Sequence, residues 1–103
     1  LAGAAGSMED LLALGVDAVA IFTPRHTHAA LALQAMAAGA HVYMAVPAAV
    51  TLAELGQLTA ASGRLRRVCM TGETSYYYPE IVFAREEYAT GRWGRFVHAD
   101  AQY

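Results

Sequence analysis

Short apolar runs alternate along this chain with stretches of helix-forming residues. One such run, residues 40–44, follows Gly39 and is halted by Pro47. An apolar run that is bounded by Gly and Pro and lies between helical patterns is typical of a buried strand in a parallel sheet. We therefore predict the central strand here, with Ala45, Val46 and Pro47 just past its carboxyl end.

The same pattern predicts three further strands. Residues 17–22 are apolar and partly β-branched, and residues 67–71 form another short run, so we predict a buried strand at each place. Residues 96–103 alternate, with Val97 and Ala99 among the positions of one face, as a half-exposed strand does.

Helical signals separate these strands. Thr51 and Glu54 form a capping box, and Pro79 suits the first turn of a helix. The predicted helices begin after Ser7 and end at Gly15, run from His26 to Ala38, run from the capping box to near Gly63 with Leu52, Leu55 and Leu58 inward, and run from Pro79 to Gly91. Regular alternation of strands and helices defines the α/β class.

Three predicted strands end in short segments that point to one edge of the sheet. The segments are Thr23-Pro24-Arg25, Ala45-Val46-Pro47 and Gly72-Glu73-Thr74. Because connections between parallel strands are right-handed, these ends fall side by side. In open α/β sheets this is the edge where ligands bind, so we predict a ligand site there.

Composition excludes several classes of function. The net charge is −2 and the seven Lys and Arg residues are scattered, which argues against nucleic-acid binding. No apolar run reaches the roughly 18 residues of a membrane span. Cys69 has no partner for an intrachain disulfide, and His98 with Asp100 lack a third metal ligand. The chain opens on Leu1 rather than Met, so we expect an internal part of a longer protein.

Several motifs together resemble the Gfo/Idh/MocA oxidoreductases: residues 23–28 (Thr-Pro-Arg-His-Thr-His), residues 38–43 (Ala-Gly-Ala-His-Val-Tyr), Pro47 and residues 51–54 (Thr-Leu-Ala-Glu). The resemblance implies that residues 1–78 are the C-terminal part of a dinucleotide-binding Rossmann domain, with the second half of its parallel sheet. Residues 79–103 would then be the linking helix and first strand of an α+β substrate domain. It also implies NAD or NADP as cofactor, a carbohydrate-like substrate, a cytoplasmic location and a homo-oligomer formed through the C-terminal sheet.

One departure from the family pattern concerns proton transfer. Where the typical member has Glu-Lys-Pro, this chain has Ala45-Val46-Pro47, and valine cannot carry a proton. A Val-Pro branch of the family, which includes NAD-using glycosidase-like members, continues with Glu-Asn-x-x-Tyr. This chain matches that string at Glu73 and Tyr77, and Thr74 replaces the Asn.

The resemblance implies roles for individual residues. Tyr77 and Glu73 are the candidate catalytic residues, although Tyr77 could instead pack between domains and Glu73 could cap the following segment. His28 would lie near the nicotinamide ribose, with an exposed helix position as the alternative. The candidate cofactor-binding residues are Thr23, Pro24, Arg25, His28, Ala45, Val46, Pro47 and Thr74. We also predict a cis Val46–Pro47 bond, since the family often turns sharply here.

Three functions remain open at this point. The first is NAD(P)-dependent oxidation or reduction of a sugar or polyol derivative, and the second is NAD-assisted cleavage of a glycoside by a hydrolase or lyase. The third is a non-catalytic relic or interaction module. The missing lysine is compatible with all three.

Overall fold

The computed structural model describes residues 3–100, and these contain three strands and four α-helices. The elements are α1 (Met8–Ala13), β1 (Ala18–Ile21), α2 (His28–Ala37), β2 (His41–Met44), α3 (Leu52–Leu65), β3 (Cys69–Thr71) and α4 (Pro79–Ala89). The strands form one sheet in the order β1-β2-β3, and both pairs are parallel. The predicted α/β class and parallel sheet are therefore confirmed.

The three strands end side by side. Ile21 pairs with Met44 in the ladder between β1 and β2, and Met44 pairs with Thr71 in the ladder between β2 and β3. The segments that follow these three residues therefore leave the sheet at the same edge, as the right-handed connections predict.

Residues 3–72 form a compact unit with its own apolar core. Small side chains on α2 allow this helix to pack closely on the sheet: Ala32 and Ala35 are completely buried, and Met36 lies beside them. The buried apolar residues are Val19, Ile21, Ala29, Ala32, Ala35, Met36, Ala40, Val42, Met44, Leu58 and Ala61. Burial of apolar surface of this kind is the main stabilising contribution in a small domain.

Helix α3 begins where it was predicted to begin. Its end, and the exposure of two of its three leucines predicted to face inward, differ from the prediction. The helix continues through Gly63 to Leu65, and Arg66 adopts the left-handed conformation with φ 52°. Leu58 is buried, whereas Leu52 is 88% exposed. Each residue turns an α-helix by about 100°, so Leu52 lies about 120° around the axis from Leu58. The prediction that Leu52 faces inward is therefore wrong, and Leu55 is also exposed.

Residues 73–100 form a second unit. It contains a 3-10 turn at Ser75–Tyr77 and helix α4, which ends before Gly91 at φ 78°. The strand predicted over residues 96–103 is not formed in residues 96–100, and residues 101–103 lie outside the described part. A strand is defined by pairing with a neighbour, and no strand of this second unit lies within residues 73–100 to pair with it.

The division between the two described units falls between Gly72 and Glu73. The domain boundary after residue 78 stays a prediction. None of the described helices has both the length and the apolar character needed to cross a bilayer.

Candidate functional site

The loop after β1 is held by the start of α2. The Thr27 hydroxyl donates to the Pro24 carbonyl at 2.8 Å, so the Thr23 hydroxyl must be the donor in its 2.6 Å contact with Thr27. The backbone N–H of Thr27 also donates to the Pro24 carbonyl, at 2.9 Å. Thr23 and Pro24 are thereby fixed by hydrogen bonds, while the neighbouring Arg25 side chain is exposed.

The loop after β2 contains a cis peptide bond between Val46 and Pro47, as predicted. Ala45 still follows the sheet, because its N–H donates to the Ile21 carbonyl at 3.0 Å. Val46 is 51% exposed and Pro47 is also exposed. The strand end therefore presents a short apolar surface to its surroundings at the predicted ligand edge.

The His28 side chain contacts both of these loops. Its side chain is 1% exposed, which excludes the alternative of an exposed helix residue. Nδ1 lies 2.8 Å from the carbonyl oxygen of Pro47, and Nε2 lies 2.8 Å from that of Thr23. The imidazole is therefore fully engaged with the backbone of the two loops.

The end of β3 is attached to β2 through the backbone. The Gly72 N–H donates to the Met44 carbonyl at 2.7 Å. A Cβ atom added at Gly72 would overlap the phenol ring of Tyr43, so glycine is the residue that lets the chain pass this ring. The Tyr43 ring in turn contacts Phe22, with their centroids 6.0 Å apart.

The second unit contains the remaining candidate residues. The Glu73 carboxylate accepts a hydrogen bond from the Ser75 N–H at 2.7 Å, and Thr74 is exposed next to it. Tyr77 is 63% exposed and meets the edge of the Tyr76 ring, with centroids 5.1 Å apart.

The Tyr76 ring also makes a cation–π contact. The Arg85 guanidinium lies over it, 3.8 Å from the centroid, and donates to the Tyr76 carbonyl at 3.2 Å. A cation over an aromatic face is an attractive contact, so Arg85 anchors Tyr76, against which Tyr77 rests.

The structure brings together, at one edge of the first unit, all the predicted residues that belong to that unit. They are Thr23, Pro24, Arg25, His28, Ala45, Val46 and Pro47. The surface formed by Ala45, Val46 and Pro47 carries no titratable side chain, so it can contact the flat face of a ring but cannot transfer a proton. A dinucleotide carries a flat ring at each end. The sequence contains no Gly-rich turn for the pyrophosphate.

His41 and Cys69 lie outside the candidate site, and each is accounted for by its local surroundings. His41 begins β2, at the strand end opposite the candidate site, and accepts from the Val68 N–H through Nδ1 at 2.9 Å. Cys69 is half-buried beside a cavity of about 210 Å³, and burial raises the pKa of its thiol. Within residues 3–100, no group of three or more His, Cys, Asp or Glu residues is placed to hold a metal ion.

Three contacts were not predicted from the sequence. In the first unit they are the double contact of His28 and the approach of Gly72 to Tyr43, and in the second unit it is the Arg85 contact with Tyr76. A glycine that directly follows a strand is a signal of close backbone approach, so the second could have been suspected. The other two join residues that are distant in sequence or on different elements, and no local pattern reports them.

The family follows from comparison with known proteins. The Gfo/Idh/MocA family model, described as an oxidoreductase family with an NAD-binding Rossmann fold, matches residues 3–73. The chain belongs to this family. The fold and the strand-end loops described above are those of its NAD-binding domain.

Individual relatives are similar over most of the chain. A glycosyl hydrolase family 109 protein from Shewanella sp. (strain W3-18-1) is 33% identical over 98 residues, which is 94% of this chain and 21% of the relative. The solved UDP-N-acetylglucosamine 3-dehydrogenase GnnA from Acidithiobacillus ferrooxidans is 34% identical, with TM-score 0.72, over 79% of this chain and 26% of that one. An NAD binding oxidoreductase from Klebsiella pneumoniae is 32% identical, with TM-score 0.80, over 88% of this chain and 24% of that one. This chain spans about a fifth of the length of the curated relatives it matches.

Proposed function

We propose that the protein is an NAD(P)-dependent oxidoreductase that acts on a sugar or polyol derivative, and that this chain supplies the nicotinamide end of its cofactor site. The proposal rests on one observation: His28 connects the Thr23–Arg25 and Ala45–Pro47 loops, which follow neighbouring strands at one edge of the sheet. The family to which the chain belongs has an NAD-binding Rossmann fold. When bound, the cofactor supplies the acceptor or donor of a hydride.

The residues of the first unit have the role of placing the cofactor. Val46 and Pro47 offer an exposed apolar surface for the nicotinamide ring, and Ala45 keeps that surface attached to the sheet. Thr23 and Pro24 form the neighbouring wall, and Arg25 provides an exposed positive charge suited to an anionic group of the cofactor or substrate. Thr74 is proposed as a further cofactor-binding residue.

Proton transfer is assigned to Tyr77, assisted by Glu73. Val46 stands where the typical family member has a lysine, so a substrate hydroxyl has no proton acceptor at this position. Tyr77 has an exposed phenol on a turn that Arg85 and Tyr76 hold, and Glu73 is an exposed carboxylate on the same turn. A cytoplasmic location and a homo-oligomer belong to the same proposal.

The test uses the protein encoded by the complete reading frame. It is incubated with NAD or NADP and a panel of free sugars, polyols and nucleotide sugars, and reduced cofactor is followed by its absorbance. We expect turnover with a member of this panel and a preference for one of the two cofactors. Retention of neither NAD nor NADP by the complete protein would contradict the proposal and favour a non-catalytic relic or interaction module.

The second candidate is NAD-assisted glycoside cleavage. It is favoured by the 33% identity to glycosyl hydrolase family 109 proteins and by the string Val46-Pro47 with Glu73 and Tyr77. In this reaction a sugar carbon is oxidised and later reduced again, so cofactor is not consumed. Aryl glycosides distinguish the two candidates: release of the aryl alcohol without net NADH formation supports cleavage, and stoichiometric NADH supports net oxidation.

A further inference from the structure

We infer that His28 is a positioning residue that fixes the spacing of the two loops at the nicotinamide edge and acts through their backbone rather than by touching the cofactor. This inference rests on the proposed function. The resemblance to known oxidoreductases implied a histidine beside the nicotinamide ribose, but the imidazole is 1% exposed and both nitrogens face carbonyl oxygens of the protein itself.

The two contacts join the loops that follow two neighbouring strands. Thr23 follows β1 and Pro47 follows β2, and these strands are neighbours in the sheet. Each carbonyl oxygen lies 2.8 Å from a different ring nitrogen, so the imidazole forms a bridge between the two loops.

The bridge depends on a ring with a nitrogen on each of two edges. Carbonyl oxygens only accept hydrogen bonds, so each contact is a hydrogen bond when its ring nitrogen carries a proton, and the neutral ring, with one N–H, donates to one carbonyl at a time. A flexible side chain with one donor nitrogen reaches one of the two carbonyls. His28 is also the first residue of α2, and the residue after it, Ala29, is buried. The backbone of His28 is therefore held by the helix.

The position of these loops matters for hydride transfer. The bridge contacts the carbonyl of Pro47, next to the exposed Val46, and the carbonyl of Thr23 in the neighbouring loop. A misplacement of about 1 Å between reacting groups can lower a rate by about 100-fold. Loss of the bridge would therefore affect the nicotinamide end and leave the adenine end of the cofactor unaffected.

The experiment compares His28→Phe with His26→Phe in the protein encoded by the complete reading frame. Phenylalanine keeps an aromatic ring at this position but is larger than imidazole and donates no hydrogen bond, and His26 is an exposed residue of the 3-10 turn Arg25–Thr27. Calorimetry measures the affinity for NAD and for ADP-ribose, which lacks the nicotinamide. We expect His28→Phe to weaken NAD binding by about tenfold and to leave ADP-ribose within about twofold of wild type, with His26→Phe unchanged.

A second variant and a kinetic measurement distinguish a failure of this inference from a failure of the proposed function. His28→Gln retains one donor nitrogen and should restore part of the NAD affinity, and this variant also serves if His28→Phe does not fold. With a substrate identified, kcat should fall by about 10- to 100-fold while the KM of the substrate changes little. Equal loss of NAD and ADP-ribose binding, or no loss of either, would overturn the inference. Wild-type protein that binds neither ligand would instead contradict the proposed function.

Discussion

Gly72 lies against the hydroxyl end of the Tyr43 ring, so that the residue directly after β3 is restricted by a side chain of β2. A Cβ atom at position 72 would overlap the ring, whereas a Cβ at Gly63 of α3 would meet no atom within 4 Å. A side chain is therefore excluded at Gly72 but not at Gly63. Gly72 allows a close approach, and Gly63 lowers the helix propensity of its position.

The first prediction concerns this pair. Gly72→Ala should lower the free energy of unfolding by about 1–3 kcal/mol, because the methyl group forces the Tyr43 ring or the backbone to move. Gly63→Ala should raise it by about 0.5–1 kcal/mol. Urea denaturation measures both. In a Tyr43→Ala background the cost of Gly72→Ala should disappear, and an undiminished cost there would show that the ring is not the cause.

The second prediction concerns Tyr77. Tyr77→Phe should lower kcat by about 10²–10⁴-fold with little change in cofactor affinity, because a positioned general acid or base contributes that much. Val46→Ala should cost far less, since valine has no proton to transfer. Tyr78→Phe removes a neighbouring exposed phenol and should leave kcat unchanged. Wild-type turnover by Tyr77→Phe would mean that Tyr77 only packs.

The third prediction concerns the start of α3. The Thr51 hydroxyl accepts from the Glu54 N–H at 3.2 Å, and the Glu54 carboxylate accepts from the Thr51 N–H at 3.0 Å. Thr51→Ala should therefore lower the free energy of unfolding by about 1 kcal/mol. Thr51→Ser keeps the hydroxyl and should retain most of the stability in thermal denaturation. A cost shared equally by both variants would locate the effect in the methyl group instead.

The fourth prediction concerns the two faces of α3. Leu58→Ala should lower the free energy of unfolding by about 2–5 kcal/mol, because Leu58 is buried in the core. Leu52→Ala, 88% exposed on the same helix, should change it by no more than about 0.5 kcal/mol. Chemical denaturation of the two variants compares them directly, and similar costs would contradict the orientation of the helix.

The fifth prediction concerns the reactivity of Cys69. Burial raises the pKa of this thiol, so at any given pH a smaller fraction is thiolate than in an unfolded chain. Alkylation by iodoacetamide should therefore be slower in the folded protein, and its rate should rise at a more alkaline pH than in urea. Peptide mass spectrometry follows the Cys69 peptide. Identical pH profiles in the two states would contradict the effect of burial.

The same shift affects stability in a defined direction. Because the folded thiol holds its proton to higher pH than the unfolded one, the unfolded state loses that proton first as the pH rises. Stability should therefore fall above the ordinary thiol pKa. Cys69→Ser should lack this alkaline component.

The linear sequence by itself determined the elements and the edge at which they meet. Apolar runs at residues 17–22, 40–44 and 67–71 became the three strands. The expectation that these strands are buried throughout is wrong, because burial alternates along β1 and β2 and no residue of β3 is fully buried. The capping box at Thr51 began α3 for an equally local reason. The convergence of strand ends followed from the handedness of the connections.

Tertiary structure decided everything that joins distant residues or depends on a partner. The two contacts of His28 span 5 and 19 positions of the chain, so no pattern around His28 alone could reveal them. Residues 96–100 have the alternation of a strand but no strand in their own unit to pair with, since pairing belongs to two segments and periodicity to one. Leu52 is apolar and helical like Leu58, and only the packing of α3 separates the exposed side chain from the buried one.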